Sequence, residues 1–157
     1  MATVEVAFTP LPAHVRTARL VATAVARRSG VDEELLDEVR LAVGEACSRA
    51  VEAHRRHCPA EPVRIEMTDL GERFEVIVRD SVPSAPTNGA TANASNGANG
   101  VLAGQAGFAG AGGTENTAVS GFGLAVISGL ADDVRISSTG SGVSVRMTWP
   151  AALGVEA

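Results

Sequence analysis

Lysine is absent from this chain: every one of its 13 basic side chains other than histidine is an arginine. That absence excludes several chemistries at once. A Walker A phosphate loop, the strand lysine of a protein kinase and a Schiff base all need a lysine amine. If the chain handles ATP, it does so by another design. Cysteine is scarce as well, with 2 residues in 157. Cys47 lies in a helical pattern and Cys58 in the polar loop after it, with no metal or redox spacing between them. Both are expected to be reduced thiols in a cytosolic protein that needs no disulfide framework. No apolar run reaches the roughly 18 residues of a spanning helix. The opening MATVEVAF carries Glu5 within its alternation and has no basic start, so neither a signal peptide nor a membrane anchor is expected. An excess of positive charge is missing too. The net charge of −5 and a pI near 5.2 argue against a nucleic-acid partner, because phosphate binding needs a basic face. A protein partner or a small ligand remains.

What is present reads as one domain over residues 1–157, near the modal domain size. Thr3 to Phe8 alternates Val4, Val6 and Phe8 with polar neighbours, which predicts a half-buried strand. Pro10 and Pro12 break the chain before a helix over Ala13 to Arg28, where Val15, Ala18, Val21, Ala22 and Val25 form the apolar stripe. Arg16, Arg19, Arg27 and Arg28 supply its solvated face. Ser29-Gly30 ends that helix and Asp32 caps the next, with Val31 and Leu36 spaced as a hydrophobic staple. The second helix runs to about His54 and is the most apolar periodic element, so it is expected against the sheet. His54, His57 and Cys58 are spaced loosely like a zinc site, but two arginines interrupt them, and a solvated helix end is the expectation.

Val63-Ile65-Met67 and Phe74-Val76-Val78 alternate cleanly about a glycine-containing turn, predicting a strand pair closed by Asp80. From Pro83 to about Thr117 the composition turns to Ala, Gly, Asn, Ser and Thr without period, which predicts a long mobile lid. A glycine-opened helix then runs from Phe122 to about Leu130, followed by strands at Val134 to Ser137 and Val143 to Trp149. Pro150 is expected to end the fold, with a frayed tail after it. This element order predicts an α/β two-layer sandwich: a mixed, largely antiparallel sheet with helices on one face.

Four stretches carry a resemblance. LAVGEACSRAVEAH resembles the N box of the histidine-kinase-like (GHKL) ATPases, and FEVIVRDSVPS their strand with the adenine-binding aspartate. GFGLAVISGLADDV resembles their second glycine box, and SGVSVRMT their final strand pair. Within that family the chain is most similar to the anti-sigma factors that double as serine kinases of their anti-anti-sigma partners. The resemblance implies a general-base role for Glu45 and an adenine contact for Asp80. It implies phosphate contacts at Gly121 and Gly123, where backbone amides at a helix N-terminus favour an anion. Leu124, Gly142 and Arg49 fall at further nucleotide-facing positions. It also implies a partner-binding arginine on the first helix, matched by Arg19 with Arg16 beside it. Partners would be a sigma factor, an anti-anti-sigma protein and, as in many such factors, a second copy of the chain.

The departures are as informative. The family's magnesium-binding asparagine, four residues after the glutamate, is Arg49 here. A guanidinium about 4 Å from a divalent ion would repel it by something on the order of 8 kcal/mol at an effective dielectric near 20. The family's glycine two residues after the aspartate is Val82, followed by Pro83. No basic residue lies between Ser81 and Ala131 to neutralise a γ-phosphate. Arg49 is expected either to pair with Glu45 and close the site, the preferred outcome, or to bind phosphate in place of the metal. The expected function is therefore an anti-sigma-like regulator with weak ATP or ADP binding and no magnesium. The alternative is an active ATP-dependent serine kinase.

Overall fold

Alternation decides which face of each strand is covered. Val63, Ile65 and Met67, then Phe74, Val76 and Val78, then Val145, Met147 and Trp149 are all buried, while Arg64, Arg79 and Arg146 between them face out. The computed structural model describes residues 2–83 and 127–152. In chain order the elements are β1 (Ala2–Phe8), α1 (Pro12–Arg28), a single 3-10 turn (Glu33–Leu35), α2 (Leu36–His57), β2 (Val63–Asp69), β3 (Arg73–Arg79), β4 (Asp133–Thr139) and β5 (Gly142–Pro150). One five-stranded sheet has the order β1-β2-β3-β5-β4. Both long helices pack on its apolar face.

All four strand pairings are antiparallel. The expected two-layer α/β sandwich is present, and the described sheet is wholly antiparallel rather than mixed. β4 and β5 form a tight hairpin with Thr139 opposite Gly142, and β5 returns beside β3. The outward face of the sheet is laced with ion pairs such as Arg79–Glu66 at 2.7 Å and Arg146–Glu75 at 2.5 Å.

Pro12 opens α1, where its missing N–H costs nothing, and Val15, Ala18, Ala22 and Ala26 form the buried stripe. Alanine at three of these four positions lets α1 lie close against α2. In α2 the row Val39, Val43, Ala46, Ala50 and His54 is buried against the sheet. The Asp32 side chain accepts from the Glu34 amide at 3.4 Å, so it caps the 3-10 turn that leads into α2. Val31 and Leu36 are both buried there. Trp149 anchors the far end of the core. It tilts against Phe74 with ring centres 6.3 Å apart and donates its indole N–H to the Leu130 carbonyl at 2.9 Å.

Two expectations need correction. α2 continues three residues beyond His54, because His54 is fully buried and its neighbours keep the helical bonding that the core supports. Pro150 does not end the ordered chain: the Ala151 amide donates to the Glu72 carbonyl and the Ala152 amide to the Gly30 carbonyl, each at 2.9 Å. The expected lid lies, from residue 84, outside the described residues, as do Gly121, Gly123 and Leu124.

Gly30 has φ +90, and a Cβ there would meet the Ala152 carbonyl. Gly30→Ala is expected to cost about 3 kcal/mol, a fall in Tm of roughly 6–12 °C. Gly140→Ala, with nothing within 4 Å of the added carbon, is the control and should leave the calorimetric Tm near that of the wild type.

Candidate functional site

The site forms where β3 ends, β5 begins and α2 crosses above them. Asp80, immediately after β3, has a side chain only 1% exposed. Its Oδ1 accepts from the amides of Val82 at 2.9 Å and Val143 at 3.1 Å. Its own amide donates to the Val143 carbonyl at 3.0 Å. Its Oδ2 accepts from Arg49 Nη2 at 2.5 Å, and the Arg49 side chain is 12% exposed. The carboxylate is thus held by one helix and two strand ends, with both oxygens engaged. Gly142 belongs to the same knot. A Cβ at this glycine would meet the Asp80 carbonyl, so its place is explained by close backbone approach.

The expected pairing of Arg49 with Glu45 is therefore corrected: Arg49 reaches across to Asp80, 31 residues away in sequence. The physical reason lies in burial. A desolvated carboxylate needs a countercharge, whereas half-buried Glu45 retains contact with water and needs none. Glu45 makes no hydrogen bond or ion pair among the described residues. Arg49 Nε and Nη1 are buried without a hydrogen-bond partner among the described residues, which leaves two of the three guanidinium nitrogens with unmet donors.

His54 was expected in a solvated helix end and is instead fully buried. Its Nδ1 lies 2.7 Å from the Glu61 carbonyl, and the Ser81 amide donates to its Nε2 at 2.9 Å. A carbonyl on one side and an N–H on the other leave one tautomer, neutral with the proton on Nδ1. His54 thus pins Ser81, the residue after Asp80. Its spacing of four from Ala50, itself four from Ala46, is a signal of burial that sequence reading could have used. Arg49–Asp80 offered no such signal. Among the described residues no cluster of three or more His, Cys, Asp or Glu could hold a metal.

On the other side of α2 lies a groove of about 330 Å³ between the two helices, lined by Arg16, Arg19, Ser48, Glu52 and Arg55 among others. The two arginines singled out on α1 are therefore brought together, and Arg55 of α2 joins them. Arg16 is exposed, but Arg19 is not simply on a solvated face: its Nε is buried without a partner. Beneath it, burial pushes the Cys47 thiol up to about 12, against a smaller opposing effect of the Arg19 charge. The Cys58 thiol is also raised, by burial first and then by the charges of Glu61 and Asp80.

Residues 8–149 match the sequence pattern described as Histidine kinase-like ATPase domain. The chain belongs to that family. It is also similar to the serine-protein kinase RsbW of Bacillus subtilis (strain 168), 26% identical over 145 residues that cover 92% of this chain and 83% of that protein. RsbW of Bacillus velezensis is equally similar, 26% identical over 92% of this chain and 83% of its own length. Against the pattern of this ATPase family the arrangement has a specific oddity. The carboxylate that the resemblance assigns to adenine is already occupied by an arginine of the same chain.

Removing Arg49 leaves a buried carboxylate without its countercharge, so Arg49→Ala should cost about 3 kcal/mol in urea unfolding, while Glu45→Ala should stay within about 0.5 kcal/mol. Cys47 retains its proton in the fold above the ordinary value of 9.0. Its contribution to stability is complete below about pH 9 and is lost as pH rises towards 12. Cys47→Ala should flatten the alkaline side of the stability curve across that window.

Proposed function

We propose that this chain is an anti-sigma-factor-like regulator, one that binds a sigma factor and is switched by an anti-anti-sigma protein, with ATP use weakened or lost. The family membership and the similarity to RsbW support a partner-switching role of this kind. The observation that carries the nucleotide part is the Arg49–Asp80 pair. The described residues do not fit a magnesium-bound nucleotide. Asp80 is 1% exposed with both oxygens engaged, so it offers no accessible acceptor to an amino group. The helix position expected to ligate the metal carries a cation.

The groove between α1 and α2 supports the partner part. Arg16, Arg19 and Arg55 line it without an acidic partner among the described residues, and Glu52 beside them is held by Arg56 at 2.9 Å. The result is a locally positive surface on a chain of net charge −5. Such a surface suits an acidic face of a partner protein. No helix among the described residues is long and apolar enough to cross a membrane. Both cysteines are free, in keeping with action in the reducing cytosol.

One observation favours a second reading, an active ATP-dependent serine kinase. The unmet Nε and Nη1 donors of Arg49 could take an oxyanion directly, letting the guanidinium stand in for a metal's charge.

Calorimetric titration and a kinase assay separate the two. The wild type is expected to bind ATP weakly and with no dependence on magnesium, and Arg49→Asn, which frees Asp80, to bind magnesium-ATP at least about tenfold more tightly. Micromolar, magnesium-dependent binding by the wild type would sink the weakened-nucleotide reading. Radiolabel transferred to the anti-anti-sigma partner, and lost in Glu45→Ala, would establish the kinase instead. In pull-downs the wild type should capture both partners and Arg19→Ala should lose them. Failure to capture either protein refutes the regulatory role.

A further inference from the structure

Gly44 sits in the interior of α2, where a glycine lowers helix stability relative to alanine. It caps nothing and ends nothing, and its φ is not positive. Its peculiarity is what lies over it. A Cβ at Gly44 would meet the Nε, Cζ and Nη2 of Arg19, so the guanidinium of α1 rests directly on the bare backbone of α2. Arg19 Nε is buried there with no hydrogen-bond partner, and the same side chain lines the groove beside Arg16 and Arg55. Gly44, Ser48, Val51 and Arg55 follow one another at helical spacing along the side of α2 that faces α1. Any larger residue at the head of this row would lift the guanidinium away from α2.

We propose that Gly44 is a positioning residue: its missing side chain forms the seat that holds the Arg19 guanidinium beside Arg16 and Arg55, ready for a carboxylate from an acidic segment of the partner. This rests on the reading that the groove faces a partner. The local charge balance selects the occupant, since three arginines without acidic partners among the described residues line the groove and its glutamate, Glu52, is already paired with Arg56. The seat costs the fold little to abolish, because the atoms over Gly44 belong to the end of a flexible side chain. A substitution here should therefore leave the protein folded while displacing Arg19, which separates positioning from stability.

The test uses the full chain, nitrogen-15 NMR of the arginine Nε–H groups, and a synthetic deca-glutamate peptide as the acidic probe. In the wild type the Arg19 Nε–H should exchange slowly with solvent, and in Gly44→Ala at least about tenfold faster, with Tm unchanged or raised. Peptide affinity at low ionic strength should fall about tenfold in Gly44→Ala and similarly in Arg19→Ala. In the double variant Gly44→Ala should add less than about twofold, because it acts through Arg19. An Nε–H that stays protected in Gly44→Ala, or additive effects in the double variant, overturns the seat. If Gly44→Ala lowers Tm sharply, Gly44 is structural and the proposal fails. A wild type that does not bind the peptide overturns the acidic occupant, and the seat then stands or falls on the Nε–H signal alone.

Discussion

The ion pair between Arg49 and Asp80 is the contact on which this end of the structure depends. Asp80 has left the last residue of β3 and is shut away from water, a position that a carboxylate tolerates only with strong partners. It finds them in three elements at once: the Arg49 guanidinium of α2, the Val143 amide of β5 and the Val82 amide just ahead of it. The helix layer is thereby tied to the sheet at the point where the central strand β3 meets β5. His54 adds a second tie from α2 to the next residue, Ser81. Gly142 is a glycine for the same reason, since the backbone at Asp80 leaves no space for a side chain.

α2 therefore works on two sides. Its apolar row packs on the sheet, and from the same helix Arg49 and His54 reach the exit of β3. The row through Gly44, Ser48, Val51 and Arg55 faces α1 and forms the arginine-lined groove. A buried charge on the first side and a hydrated cluster of like charges on the second are different electrostatic situations. The first is costly to leave unpaired and is paired within the chain. The second is screened by water, so its arginines can stay available to a partner. The exposed ion pairs on the far face of the sheet, such as Arg64–Glu5 at 3.6 Å, contribute little stability individually and mainly keep that face polar.

The resemblance implies that the carboxylate of Asp80 is one that a bound nucleotide completes. Here the protein completes that carboxylate itself. The arginine at the position expected to ligate a metal is long enough to reach the carboxylate expected to read the base. Two departures that looked separate in the chain, Arg49 and Val82, meet at one carboxylate.

The amino-acid sequence by itself determined the strands, the helices and their layers, because period-2 and period-3.6 patterns are local and each element's buried face follows from its own residues. Val63-Ile65-Met67 and the apolar α2 positions Val39, Val43, Ala46 and Ala50 needed no tertiary information. It also carried the family, through four short stretches in the right order, and placed Arg16 and Arg19 on one helix. What only the tertiary structure decided was how the charges pair. The choice of Arg49 between Glu45 and Asp80 depends on which carboxylate loses its water, and burial is a property of the packed layers. The pinning of Ser81 by His54 and the seating of Arg19 on Gly44 were out of reach for the same reason. Each joins residues far apart in the chain through a distance and a degree of desolvation that exist only after α1, α2 and the sheet have come together.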